Sequence, residues 1–276
     1  MPSRVLLAKS FPRPHDVAPV TRSAFIKLMV GGALGAGAWP RLAARPSADG
    51  EPWLPVPDLP PGPHPAASPS AARFETHGPG LGSRVALTFD DGPAPGGTEL
   101  VLKALDRRKL RATFFMIGRN AARHPALAAE VAAAGHEIGN HSYTHPRLDR
   151  LPANRAEAEI DRTQEAIATA TGKAPAWLRP PYGGFRRKEQ GPLARARDLG
   201  VVWWSVDPLD WRRPGARRII SRVVGETLPG SIILLHDIHP QTAQATGELL
   251  DRLLEQGFNF TTVSGFLGEP YGPYFG

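Results

Sequence analysis

From residue 84 to residue 263 the chain alternates short apolar runs with longer segments whose apolar residues recur every three or four positions. Short continuous apolar runs read as buried strands, and the longer periodic segments as amphipathic helices. Strands are expected at 84–89, 112–117, 137–139, 177–179, 201–206, 231–235 and 258–263. Between them, Thr98 caps a helix running to about 108, a helix at 126–134 ends at Gly135, and a long one at 154–171 stops at Gly172. Two more fall at 215–226 and 242–256. Strand–helix alternation implies an α/β fold with a mainly parallel sheet and helices outside it. About seven strands in so short a span suggest a small, incomplete β/α barrel forming a single domain. In such barrels the site lies at the carboxyl ends of the strands.

The first part of the chain breaks this pattern. Residues 21–48 carry a basic stretch, twelve mostly apolar residues from Leu28 to Trp39, and a tail of small residues. That is the order of parts in an export signal, and the apolar run falls short of the roughly 20 residues a membrane span needs. The opening is similar to a twin-arginine signal, except that Ser23 stands where the second arginine belongs. A degenerate twin-arginine signal, a general secretory signal and an uncleaved anchor all remain open. Residues 51–72 contain eight prolines, too dense for a helix or a central strand, and form a semi-extended linker. The expected organisation is a signal or membrane anchor at 1–48, a Pro-rich linker at 49–75, a folded domain at 76–268 and a tail at 269–276.

Composition narrows the chemistry. The 276 residues include no cysteine, so a metal site must be built from His, Asp, Glu or water. The net charge of +7 is spread out: from Arg73 onward there are 26 basic and 22 acidic residues. No interleaving of aromatic and basic residues suggests nucleic-acid binding.

Two polar pairs stand out: Asp90 and Asp91 in Thr88-Phe89-Asp90-Asp91-Gly92, and His141 and His145 in His141-Ser142-Tyr143-Thr144-His145. Histidines four apart face the same way if the segment turns helically. With one carboxylate they make three protein ligands, the count of a catalytic zinc site with an open position, and the other carboxylate is spare for proton transfer. Alone, each motif has a plain alternative: an Asp-Gly turn, surface histidines, a polar loop around Arg179 and Tyr182, a core histidine at His236. Yet Asp90, Asp91, His141, His145, Arg179, Asp207, Asp210 and His236 all lie at or just after expected strand ends. Scattered polar residues have no reason to share that position. Metal-assisted hydrolysis is the chemistry this points to.

Five ordered motifs, TFDDG at 88–92, HSYTH at 141–145, RPPYG at 179–183, DPLDW at 207–211 and LLH at 234–236, give the chain a resemblance to the polysaccharide deacetylases. This NodB-homology family is carbohydrate esterase family 4, and the resemblance covers about 76–268. It implies a distorted (β/α) barrel and removal of N-acetyl groups from peptidoglycan or chitin-like chains. By the same likeness Asp91, His141 and His145 bind a divalent metal, zinc first, with cobalt or another ion as alternatives. Asp90 is the general base, Arg179 orients it, and Tyr182 offers its backbone N–H to the oxyanion. His236 is the general acid, with Asp210 (or second, Asp207) as its carboxylate. Trp211 and Leu234 form the slot for the acetyl methyl group, and His239 matches no motif position. The expected partner is an acetylated polysaccharide, with no nucleic acid, a possible membrane tether through the N-terminal segment, and a monomeric, exported protein. Rival readings are an O-acetyl esterase on xylan or a related glycan, a non-catalytic glycan-binding module, and a small-molecule amide hydrolase.

Overall fold

The computed structural model describes residues 74–78, 80 and 82–267. The signal, most of the linker and the tail expected from the sequence lie outside these residues. Among the described residues eight strands pair in parallel: β1 (Phe74–Glu75), β2 (Arg84–Asp90), β3 (Thr113–Met116), β4 (Glu137–Asn140), β5 (Trp177–Leu178), β6 (Gly200–Val202), β7 (Ile232–His236) and β8 (Asn259–Thr261). The sheet runs β1-β6-β5-β4-β3-β2-β7, with β8 alongside β2. Arg84–Ala86 at the start of β2 pair with β8, and Ala86–Asp90 pair with β7. The result is the incomplete parallel barrel that the alternation of elements implies.

The helices are α1 (Gly97–Asp106), α2 (Gly118–Arg123), α3 (Pro125–Ala133), α4 (Ala153–Thr171), α5 (Arg187–Arg195), α6 (Ala216–Glu226), α7 (Pro240–Glu255) and α8 (Val263–Leu267). The longest, α4, ends because Gly172 takes φ 78°, a left-handed conformation that glycine enters without a Cβ clash. Among the described residues no helix is long and apolar enough to cross a membrane.

Strand periodicity decides which side chains reach the site. Successive strand residues point to opposite faces. On one face, Val85, Leu87 and Phe89 join Phe114, Ile233 and Leu235 beneath the helices, and the Phe89 and Phe114 rings stack at 5.1 Å. On the other, Ala86, Phe115, Trp177, Val202 and Ile232 form an inner core with Val263 and Phe266 of α8. Continuing the period places Thr88 and Asp90 on the inner side of β2, and Leu234 and His236 on that of β7. The inner face therefore changes from apolar to polar towards the carboxyl ends.

Several sequence expectations need correcting. Phe74–Glu75, the end of the expected linker, pair with Val201 and Val202 and add an eighth strand. The expected strand at 201–206 stops at Val202, leaving Val206 with an isolated bridge to Ile233. Helix α5 was not expected because Gly191 and Pro192 interrupt its pattern. The His141–His145 segment is not helical. Ser142 and His145 take φ 60° and 64°, and the loop is held by Glu159 of α4, whose Oε2 accepts from the Tyr143 and Thr144 N–H groups at 2.9 and 2.7 Å.

Phe114 tests the outer core: Phe114→Ala removes a fully buried ring and leaves a cavity. Urea unfolding is expected to show a loss of about 3–5 kcal/mol.

Candidate active site

The parallel register sets the frame. Asp90 ends β2 directly opposite His236, which ends β7. The next residue, Asp91, takes φ 76°, and its carbonyl accepts from Asn120 Nδ2 at 2.8 Å. This turn aims the adjacent carboxylates differently, although both have an oxygen near His141 Nε2, at 3.6 Å from Asp90 and 3.5 Å from Asp91. Asp90 Oδ1 accepts from Arg179 at 2.8 Å. Asp91 Oδ1 faces His145 Nε2 at 3.2 Å and His141 Nε2 at 3.5 Å.

Arg179 is wholly buried. It donates to Thr88 Oγ1 at 2.6 Å and to the Trp203 carbonyl at 2.8 Å, and its guanidinium lies 4.1 Å over the Phe115 ring. Burial pushes its pKa down, against which the charge and hydrogen bond of Asp90 act. Its own backbone carbonyl accepts from His141 Nδ1 at 2.7 Å. A carbonyl only accepts, so the proton is on Nδ1 and the Nε2 of a neutral His141 presents a lone pair to Asp91. Burial, and secondarily the neighbouring His141, lower His145 to about 4, which keeps it neutral.

These facts test whether a metal fits. Asp91 Oδ1 is buried without a hydrogen-bond partner. Opposite it are two imidazole nitrogens, and all three atoms lie within 4.8 Å of one another. Acceptors converging on one another need a cation between them. Ligands about 2.0–2.1 Å from a tetrahedral ion lie about 3.3 Å apart, close to the spacings of 3.2 and 3.5 Å. The donor set of two nitrogens and one oxygen fits a divalent metal.

Across the site, His236 and Asp210 form a second unit. His236 Nδ1 is 2.7 Å from Asp210 Oδ1, and Asp210 Oδ2 accepts from the His236 N–H and Thr242 Oγ1, both at 2.8 Å. Burial opposes the His236 cation, but the Asp210 hydrogen bond and charge, with help from Asp90 and Asp91, outweigh it and raise the imidazole to about 9. Asp207 does not pair with His236; its Oδ1 caps the Leu209 N–H at 2.8 Å, and burial raises its pKa. Asp210 is thus the carboxylate of the pair.

A cavity of about 520 Å³ joins the parts, lined by Asp90, Asp91, His141, His145, Tyr182 and His236, with Trp204, Asp207, Trp211 and Leu234 as the remaining wall. Every site residue expected from the sequence either lines this cavity or, as with Arg179 and Asp210, stands directly behind one that does. Tyr182 is held at φ 57° with its ring edge-on to His145 at 4.7 Å. His239 stands 5.9 Å from the His236 ring, outside the lining.

Sequence reasoning missed Trp204 and Asp237. Asp237 is fully buried beneath the Asp90–Asp91 turn; its Oδ2 accepts from Thr98 Oγ1 at 2.6 Å, and its Oδ1 has no partner. A Cβ on Gly92 would fall 2.6 Å from its carboxylate, and one on Gly97 only 2.1 Å from its carbonyl oxygen. Only glycine allows this close approach. A signal was present in the sequence, since Asp237 follows His236 and two glycines follow the aspartates, but nothing there showed that they meet.

A family profile described as polysaccharide deacetylase matches residues 77–203. The peptidoglycan-N-acetylglucosamine deacetylase of Listeria monocytogenes is 37% identical over 186 residues, 67% of this chain and 39% of that protein. The chain thus spans about two fifths of that relative's length. The chitooligosaccharide deacetylase of a Bradyrhizobium strain is 40% identical over 63% of this chain and 86% of its own. A solved structure of a peptidoglycan N-acetylglucosamine deacetylase, in complex with 4-naphthalen-1-yl-N-oxidanyl-benzamide, superposes with a TM-score of 0.69 at 34% identity, covering 71% of this chain and 93% of that one.

Burial raises Asp237 from 3.8 to about 7. A carboxyl whose folded pKa is raised contributes stability fully below the unfolded value and loses it as pH rises through the folded one. Metal-free protein should therefore lose stability between about pH 4 and 7 by urea unfolding, and Asp237→Asn should flatten that decline.

Proposed function

The chain belongs to the polysaccharide deacetylase family, and from that membership we propose that it hydrolyses the N-acetyl groups of an N-acetylglucosamine-type polysaccharide, peptidoglycan or chitin-like, releasing acetate. The observation that carries the reading is the division of the aspartate pair. Asp90 is ion-paired to a buried arginine and has its other oxygen 3.6 Å from His141 Nε2, while Asp91 alone faces both imidazoles. Only Asp90 has the arginine and only Asp91 reaches both imidazoles, which fits separate tasks. A binding module without catalysis would need neither that division nor a His236–Asp210 pair opposite it.

Asp91, His141 and His145 would hold a divalent ion, zinc by preference for this donor set, which would supply Lewis acidity and a more acidic water. Asp90 accepts the proton of the attacking water, with Arg179 fixing the carboxylate through Oδ1. The Tyr182 backbone N–H donates to the oxyanion as negative charge develops on the acyl oxygen. His236, held as a cation by Asp210, gives its proton to the departing nitrogen as the carbon–nitrogen bond breaks. The products are acetate and a free sugar amine, and the two proton movements balance. Trp211 and Leu234, both in the cavity wall, enclose the acetyl methyl group. We read the domain as exported on the strength of the N-terminal sequence alone, which suits a wall or extracellular substrate.

Acetate release from N-acetyl chitooligosaccharides and peptidoglycan, with acetylated xylan as the ester control, tests the reading together with metal analysis of the same preparation. Asp90→Asn should reduce acetate release by at least about 100-fold with metal content unchanged, whereas His141→Ala should lower both. Full activity in Asp90→Asn would overturn the assignment of the base.

The His236 cation exists below its pKa and is lost above it. Acetate release (kcat/KM) should therefore fall on the alkaline side, at or somewhat below pH 9, because a bound cation shares the charge of Asp91. Asp210→Asn removes the principal groups raising that pKa and should move the alkaline limb down by at least about one pH unit. An unmoved limb would show that another group controls it.

A further inference from the structure

A second cavity, of about 570 Å³, backs onto the loop that forms one wall of the catalytic cavity. Along this loop Asp207 and Trp211 line the catalytic side, while Pro208, Leu209 and Arg212 line the other. Helix α6 supplies the far wall with Arg217, Arg218 and Arg222.

The charge here is concentrated in a way that bulk composition conceals. Residues 212–222 contain five arginines and no acidic residue. The four that line the cavity are exposed. Arg222 pairs with Glu226 one turn along its own helix, a half-exposed pair of the kind that contributes little. Arg217 and Arg218 occupy the first turn of α6, which has no acidic residue. Cations there oppose the helix dipole. The loop is also held in left-handed backbone at Leu209 and Arg213, φ 56° and 55°, which is unfavourable for side chains with a Cβ. A solvated face would let the arginines spread into water one by one. Here like charges converge on a concavity, against local preference, and such violations mark functional places. Arg212 ties the two cavities together, since its guanidinium lies 4.6 Å over the ring of Trp211.

Resting on the deacetylase reading, we propose that this groove is an acid-binding subsite for a carboxylate-bearing amino-sugar strand. It binds the acid groups of sugars neighbouring the one whose acetamide lies in the catalytic cavity. Guanidinium groups match carboxylates bidentately. A concave site of this volume, walled by Pro208 and Pro214 and continuous with the catalytic loop, suits a side group of a bound strand better than a flat membrane or a duplex.

The test compares two tetrasaccharides on the full chain: an uncharged N-acetyl chitotetraose, and a peptidoglycan-derived tetrasaccharide with free lactyl carboxylates. The double variant Arg217→Gln/Arg218→Gln should raise KM for the acidic strand at least about tenfold, leaving kcat for both and KM for the neutral strand within about twofold. Raising NaCl to 0.5 M should reproduce the effect in the wild type. No wild-type preference for the acidic strand, or an equal rise in KM for both, would overturn the subsite. Direct binding of the acidic strand by calorimetry, lost in the double variant, supports it even if neither substrate releases acetate, an outcome that would reject the deacetylase reading alone. Tighter wild-type binding to phosphatidylglycerol vesicles or duplex DNA than to the acidic strand would overturn it.

Discussion

A guanidinium buried in the middle of the molecule needs its charge answered, and the architecture around Arg179 supplies the answer. Asp90 gives the counter-charge, Thr88 and the Trp203 carbonyl take up further donors, and the Phe115 ring lies against its face. Removing one partner of such a pair leaves a bare charge in a low-dielectric interior, a loss of about 3–5 kcal/mol. Each partner comes from a strand end or the segment following one. The ion pair therefore holds the top of the barrel together as well as orienting a carboxylate.

The barrel supports this through direction and register. Parallel strands put all their carboxyl ends on one side, and the period of two sends every second residue inward. The inner row of β2 runs Ala86, Thr88, Asp90, and that of β7 runs Ile232, Leu234, His236. The apolar lower members exclude water beneath the site, and the polar upper members form it. In-register pairing of Asp90 with His236 places a carboxylate and an imidazole side by side on neighbouring strands.

Much of this was legible in the sequence because the information was local. Apolar runs gave the strands, glycines ended the helices, and the polar residues after strand ends proved to be those that line one cavity or stand directly behind its lining. What could not be read was long-range. The His141–His145 spacing suggested a helical turn, but Glu159 holds the segment as a loop, and the histidines converge by a different route. Phe74–Glu75 looked like linker because two residues carry no period, and only their pairing with β6 makes them a strand. Asp237 seemed ordinary until Thr98, 139 residues away, was found bonded to it. The arginines of 212–222 were visible singly, but their convergence on one concavity depends on the turn between loop and helix.

Arg179 also has two roles that differ in how they respond to mutation. Its side chain serves Asp90, and its backbone carbonyl orients His141. Any amino acid supplies the carbonyl, whereas only arginine supplies the guanidinium. Substitution here therefore removes the counter-charge of Asp90 but not the carbonyl that accepts from His141. Position 179 is thus under two separable constraints: one on its backbone, which any side chain satisfies, and one on its charge, on which the packing of the strand ends depends.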